Sequence, residues 1–351
     1  MILPGSYIFT LALLILSMLC WGSWANTFKL SGKWRFELFY FDFAFGAFIA
    51  ALIAALTFGS LGWDGFSFFD DIRNAGKRQD LFAFMAGAVF NLANMLLVAA
   101  VSLAGMSVAF PIGIGLALVI GVVWSYALHP VGSPVFLGLG SVAIAFAIIL
   151  NAVAYKMYAA SRQKRATQVA PAKAKKPAGA SSGKGILIAV VSGILMGSFY
   201  PLVEMATNSE VGLGPYSIGV IFATGILFTT FVYNLFFMNL PVQGQPVDFS
   251  EYFKGNPKQH GLGILGGMLW TTSAVANFVA ARAEGAAQAG PAVSYAMGQG
   301  ATLISALWGL LVWKEFADAD GKVKTMLFIM FVFFITGLIA VSVAPLFSGL
   351  R

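Results

Sequence analysis

The chain has 351 residues, 59% hydrophobic and 10% charged, against roughly 45–50% apolar and 25% charged in soluble domains. Its 21 Lys and Arg outnumber 14 Asp and Glu for a formal net charge of +7. The basic residues cluster in short connections and one linker, a pattern that orients membrane proteins and calls for no nucleic-acid partner. A lone Cys20 excludes an intramolecular disulfide and a multi-cysteine metal site. Neither His129 nor His260 sits in an H-E-x-x-H arrangement or beside a G-x-S-x-G elbow, so an enzyme, a metal and a cofactor are not expected.

Apolar runs of the length that crosses a hydrocarbon core predict an all-α polytopic membrane protein. The ten helices fall at 7–28, 37–58, 81–103, 107–128, 134–156, 185–206, 213–238, 261–282, 288–313 and 324–346. No Lys or Arg precedes the first run and further spans follow it, so it reads as a retained helix rather than a secretory leader. This span carries Trp24 and ends near Lys29.

The second span brings Glu37 and, about five residues inside, Asp42. A charge at a helix centre costs roughly 2.5–3.5 kcal/mol on insertion scales, so such groups face a cavity or a partner. Asn91 and Asn94 sit near the middle of the third span, and Pro111 lies early in the fourth. Glu204 lies in the sixth span. The eighth carries Trp270, Thr271 and Thr272, with Arg282 and Glu284 at its end. The ninth carries Pro291, Tyr295 and Gln299.

Trp24, Asn91, Asn94, Trp270, Thr271, Tyr295 and Gln299 offer amides, a hydroxyl and aromatic faces without fixed charge, which suits a small neutral polar solute. The competing role for such residues is hydrogen bonding between helices. Lys29, Arg35, Glu37 and Asp42 are expected at one mouth of a pathway, and Glu204, Arg282 and Glu284 at the other. They read as gates or proton-coupling groups, with Asp42 and Glu204 the coupling candidates, because short carboxylate side chains reach headgroups poorly. Pro111 and Pro291 are hinge candidates, since proline frees a backbone carbonyl.

Between the fifth and sixth spans, residues 158–184 are rich in Lys, Arg, Ala, Pro and Ser and read as a disordered basic linker. Positive-inside reasoning puts this linker in the cytoplasm and both termini outside. The expected location is a bacterial inner membrane. The segment Gly179-Ala-Ser-Ser-Gly183-Lys184-Gly185 is one residue short of a nucleotide-binding loop and lacks its Ser or Thr, so ATP is not expected.

A shift of 180 residues aligns Gly87, Ala100, Gly105, Ala109 and Pro111 with Gly267, Ala280, Gly285, Ala289 and Pro291. The expected organisation is one five-helix repeat at 1–157 and a second at 185–351. An odd number of spans per unit makes this a 5+5 inverted repeat, a construction common in secondary transporters.

Cys20-Trp-Gly-Ser-Trp-Ala-Asn-Thr-Phe-Lys29, Trp34-Arg-Phe-Glu-Leu-Phe-Tyr-Phe-Asp42, Ala109-Phe-Pro-Ile-Gly-Ile-Gly-Leu-Ala117 and Gly298-Gln-Gly-Ala-Thr302 through Trp313-Lys-Glu315 carry a resemblance. The chain resembles the drug/metabolite transporter superfamily, in wording closest to its ureide permease and glucose/ribose uptake branches. The resemblance implies a ten-helix, proton-coupled carrier that takes up ureides, nucleobases, nucleosides or sugars. An exporter of the same fold and a passive facilitator are the alternatives. The partners expected are the solute, protons and the bilayer, with oligomeric state left open.

Overall fold

The computed structural model describes residues 1–169, 183–241 and 245–347. Among them ten helices are long and apolar enough to cross a membrane: Tyr7–Leu30, Phe36–Leu56, Lys77–Ala104, Val108–Leu128, Pro134–Lys164, Gly183–Thr207, Pro215–Asn239, Pro257–Ala281, Gly285–Val312 and Gly321–Phe347. These are the first to tenth spans. Large apolar side chains such as Leu139, Val142, Phe228, Val232 and Phe328 point outward. In water they would form an aggregating surface, whereas in a bilayer they meet lipid.

Helix ends follow local chemistry. Ser6 caps the first span, accepting from the Phe9 amide. Asn256 and Gln259 form a reciprocal capping box ahead of Pro257, an arrangement that satisfies two of the orphan amides at a helix start. The cap at Asn256 starts the eighth span at Pro257, ahead of its apolar run, whereas the first begins at Tyr7 as expected. Two short elements join the spans, the helix Phe68–Asn74 and the 3-10 turn Phe249–Lys254. In the first, burial holds the Asp71 carboxyl above the usual carboxylate range, and its Oδ2 accepts the Gly214 amide at 2.8 Å.

The fifth helix differs from expectation, running from Pro134 to Val169. Apolar composition ends before its Arg162 and Lys164, but nothing between 158 and 169 breaks a helix, so it continues beyond the span. The sixth begins at Gly183, taking in Lys184 and Gly185. Residues 170–182 of the expected linker, with most of the loop-like segment, lie outside the described residues.

Small residues set the interhelical distances. A methyl group on Gly87 would collide with the carbonyl oxygen of Phe222, and one on Gly267 with that of Phe43. Gly46 likewise abuts Ile264, and Gly225 abuts Phe84. Van der Waals contact between closely approaching backbones drives helix association where the solvent is itself apolar.

Candidate transport site

A cavity of about 410 Å³ lies among the first, second, third, fourth, sixth, eighth and ninth spans. Helical spacing builds its walls. Trp21, Trp24 and Phe28 line it from one face of the first span, and Phe90 and Asn94 from one face of the third, since residues three, four and seven apart share a face. Trp270 packs on Phe90 with ring centroids 4.2 Å apart and stacks on Phe222 at 5.8 Å. Trp24 packs on Phe43 at 5.0 Å.

The polar lining comprises Asn94, Gln299, Thr302, Ser305 and the polar edges of the aromatics. Among the described residues, no Asp, Glu, Lys, Arg or His lines the cavity. Asn94 Nδ2 donates to the Tyr40 hydroxyl at 3.0 Å, and Ser305 Oγ donates to the Gly22 carbonyl at 3.0 Å. Trp21 Nε1 is buried without a protein partner.

Two of the spans that line the cavity tighten locally beside it. In the first, the Trp24 amide still bonds to the Cys20 carbonyl at 3.1 Å, and the Thr27 amide bonds to the Trp24 carbonyl at 3.0 Å. The ninth tightens at Gln299 and Gly300, between Pro291–Gly298 and Ala301–Leu307. There the Gly300 amide bonds to the Met297 carbonyl at 2.9 Å and the Thr302 amide to that of Gln299 at 3.1 Å. Trp24, Gln299 and Gly300 all keep right-handed helical dihedrals, so both spans run on through these points.

The cavity is asymmetric. Towards the connection carrying Lys33 and Arg35 it shares Phe36 and Val98 with a recess of about 470 Å³. Towards the other end it is floored by Tyr295, which is backed by Tyr200 with ring centroids 5.1 Å apart. Beneath them Tyr200 OH donates to Asn277 Oδ1 at 2.6 Å, and Asn277 Nδ2 donates to the Ser294 carbonyl at 2.9 Å and to Ser17 Oγ at 3.3 Å. All four are buried. This closure joins the first, sixth, eighth and ninth spans.

Of the seven residues expected at a solute site, Trp24, Asn94, Trp270, Tyr295 and Gln299 line the cavity together. Asn91 does not. Its Nδ2 donates to the Ile226 carbonyl and the hydroxyls of Thr229 and Thr230 at 2.9–3.1 Å, binding the third span to the seventh. Thr271 is buried away from the cavity, its hydroxyl unpartnered. Phe90, Phe199, Thr302 and Ser305 were not anticipated; each lies three or four residues from an anticipated or lining residue, the spacing that reveals a shared face.

The charged residues form separate pairs rather than two clusters. Lys29 Nζ meets Glu315 Oε1 at 2.7 Å and lies over the Trp313 ring. Glu315 also accepts from the Tyr155 hydroxyl at 2.9 Å. Arg35 pairs with Glu37 at 2.6 Å. Asp42 is buried, with one oxygen accepting from Tyr252 OH at 2.7 Å and the other 2.8 Å from His260 Nδ1.

At the far end Glu204 is 2% exposed. Arg282 Nη2 donates to the Thr207 carbonyl at 3.1 Å, and Glu284 is exposed at the surface. The two prolines occupy unlike places. Pro111 lies inside its helix, whereas Pro291 is the first residue of its own, where no intrahelical hydrogen bond is lost.

Ten apolar spans enclosing an uncharged aromatic cavity, open towards one end and closed at the other, define a polytopic helical membrane protein of the transporter class. The ureide permease family profile matches residues 39–184 and 169–345. The chain belongs to the ureide permease family, whose members are transporters rather than enzymes. It is 24% identical to ureide permease 1 of Arabidopsis thaliana and 23% identical to ureide permease 2 of the same plant, in each alignment over 97% of both chains. These relatives are plant proteins and lend no support to a bacterial membrane.

Proposed function

We propose that the protein is a secondary carrier for a small, flat, uncharged ureide, taken up with protons. The uncharged cavity carries this reading. A ring solute that presents N–H and C=O groups has aromatic faces to stack on at Trp24 and Trp270. Asn94, Gln299 and Thr302 would supply its hydrogen bonds. A charged solute would have no counter-ion there, and burying an unpaired charge is costly. The relatives, ureide permeases by name, favour a ureide over a sugar or a nucleobase.

Carrier action rests on a proposed 5+5 inverted repeat, of the kind built in the wider drug/metabolite transporter superfamily, with 1–157 and 185–351 as its units. The glycine contacts support it. Gly87 on Phe222 has its counterpart in Gly267 on Phe43, and Gly46 on Ile264 in Gly225 on Phe84, which is the pattern expected when the two halves exchange. Rocking of one half on the other would alternate access. Closure at Tyr200 and Asn277 would then be the outer gate, with Glu204 and Arg282 beyond it, and Lys29 with Glu315 would brace the inner end. In this orientation the basic connections face the cytoplasm. Pro111, interior to its helix, is the better hinge candidate.

Proton coupling is assigned to Asp42, with His260 as the neighbour that shares its proton, and Glu204 as the second candidate. A thermal-shift comparison of purified protein with allantoin, uracil, uridine and glucose tests the substrate class. A ligand at 100 times its Kd stabilises the folded state by about 2.7 kcal/mol. Allantoin alone should raise the unfolding midpoint; a rise with glucose alone would contradict the assignment.

A further inference from the structure

We infer that Tyr40 is a specificity-determining residue that fixes the amide of Asn94, so that the cavity presents the Asn94 carbonyl as an acceptor for a solute N–H group. The inference rests on the cavity being the solute site.

Tyr40 is fully buried and does not line the cavity. Its ring stacks on Phe43 with centroids 4.8 Å apart and planes 17° apart, and packs on Phe36 at 5.0 Å. Those two rings in turn border the solute space, because Phe36 lines it and Phe43 backs Trp24. Packing on both sides leaves the Tyr40 ring one position, so its hydroxyl is a fixed point. Onto that point Asn94 Nδ2 donates at 3.0 Å.

A side-chain amide has one donor edge and one acceptor edge. With the donor edge engaged behind the wall, Oδ1 is the edge left for the cavity. An unanchored amide would turn either edge to the solute and accept hydroxyl or N–H partners alike. Anchored, it matches an N–H donor and leaves its own carbonyl unpaired when the partner has none, which is the more selective arrangement.

Allantoin binding to the purified full-length protein, measured by calorimetry, provides the test. Asn94→Ala should weaken binding about tenfold and Tyr40→Phe about fivefold, the sizes expected when a buried hydrogen bond is lost or loosened. In the Asn94→Ala background, Tyr40→Phe should add less than twofold, because its effect passes through Asn94. A purely structural Tyr40 would lower the unfolding midpoint equally in both backgrounds and leave the two affinity losses multiplying.

On the wild-type protein, allantoin with its N–H groups methylated should bind at least tenfold more weakly than allantoin. Undiminished affinity in Tyr40→Phe, multiplying losses in the double variant, or equal binding of the methylated compound would each overturn the role of Tyr40. Failure of the wild-type protein to bind allantoin, or full affinity in Asn94→Ala, would instead overturn the reading of the cavity and take this inference with it.

Discussion

Asp42 and His260 lie 218 residues apart in sequence and meet at 2.8 Å across the second and eighth spans. Tyr252, from the 3-10 turn ahead of the eighth span, closes the other side of the carboxylate. Trp34 packs edge-on against His260 at 4.8 Å and lines the recess that adjoins the cavity. The groups facing the carboxylate are therefore an imidazole and a phenol.

If this pair couples transport, Asp42→Asn should abolish gradient-driven accumulation of substrate in proteoliposomes and spare exchange of labelled for unlabelled substrate, since exchange moves no net proton. His260→Gln should shift the pH dependence of accumulation while leaving exchange near wild-type rates. Accumulation undiminished in both variants, with the interior still acidifying, would move the coupling role to Glu204 or to another proton-binding group.

The glycine contacts predict matched stability losses. Gly87→Ala and Gly267→Ala each place a methyl group against a carbonyl oxygen of the neighbouring span, and overpacking of this kind typically costs about 1–3 kcal/mol. Unfolding midpoints in detergent should fall by similar amounts for the two. A fall in one alone would count against the equivalence of the two halves.

Asp71 makes a prediction about pH. Burial raises its carboxyl above the usual range, so the folded protein holds this proton to a higher pH than the unfolded chain does. Its contribution to stability is therefore greatest in acid, declines as pH rises through the interval between the ordinary and the raised value, and is flat above it. Asp71→Asn keeps an acceptor for the Gly214 amide and should remove that interval from the stability curve, read as unfolding midpoint against pH.

Orientation is tested with cysteines in a Cys20→Ala background. Lys33 and Trp63 are both exposed and lie on the successive connections flanking the second span. Lys33→Cys should react with a membrane-impermeant thiol reagent only from the cytoplasmic side, and Trp63→Cys only from outside. The reverse pattern would exchange the assigned gates.

The ten spans were legible because lipid imposes one signal, a long uncharged run, that needs no tertiary context. Five of the seven expected solute-site residues were legible for a related reason: neutral polar or aromatic side chains at mid-span stand out against an apolar background. What the same signal cannot separate is Asn94 on the cavity wall from Asn91, three residues earlier and turned to Thr229 and Thr230. One helical turn displaces a side chain along the axis and slightly around it, and only the neighbouring span decides what it meets. Partners at long sequence separation were equally hidden. In sequence His260 stands outside any catalytic or metal motif and Glu315 belongs to a short motif; only packing brings them to Asp42 and Lys29. The tightening at Gln299 and Gly300 carried only a glycine as its mark, in a chain with 39 glycines.

The proposed carrier needs a saturable solute site at Trp24, Asn94, Trp270 and Gln299 that is reached alternately from the two sides. Its most direct test is uptake of labelled allantoin into proteoliposomes preloaded, or not, with unlabelled allantoin. Preloading should accelerate entry, entry should saturate, and Gln299→Ala should raise the half-saturating concentration roughly five- to 150-fold, the range set by one unpaired buried polar group. Entry that rises linearly with concentration, ignores preloading and is unchanged in Gln299→Ala would contradict it.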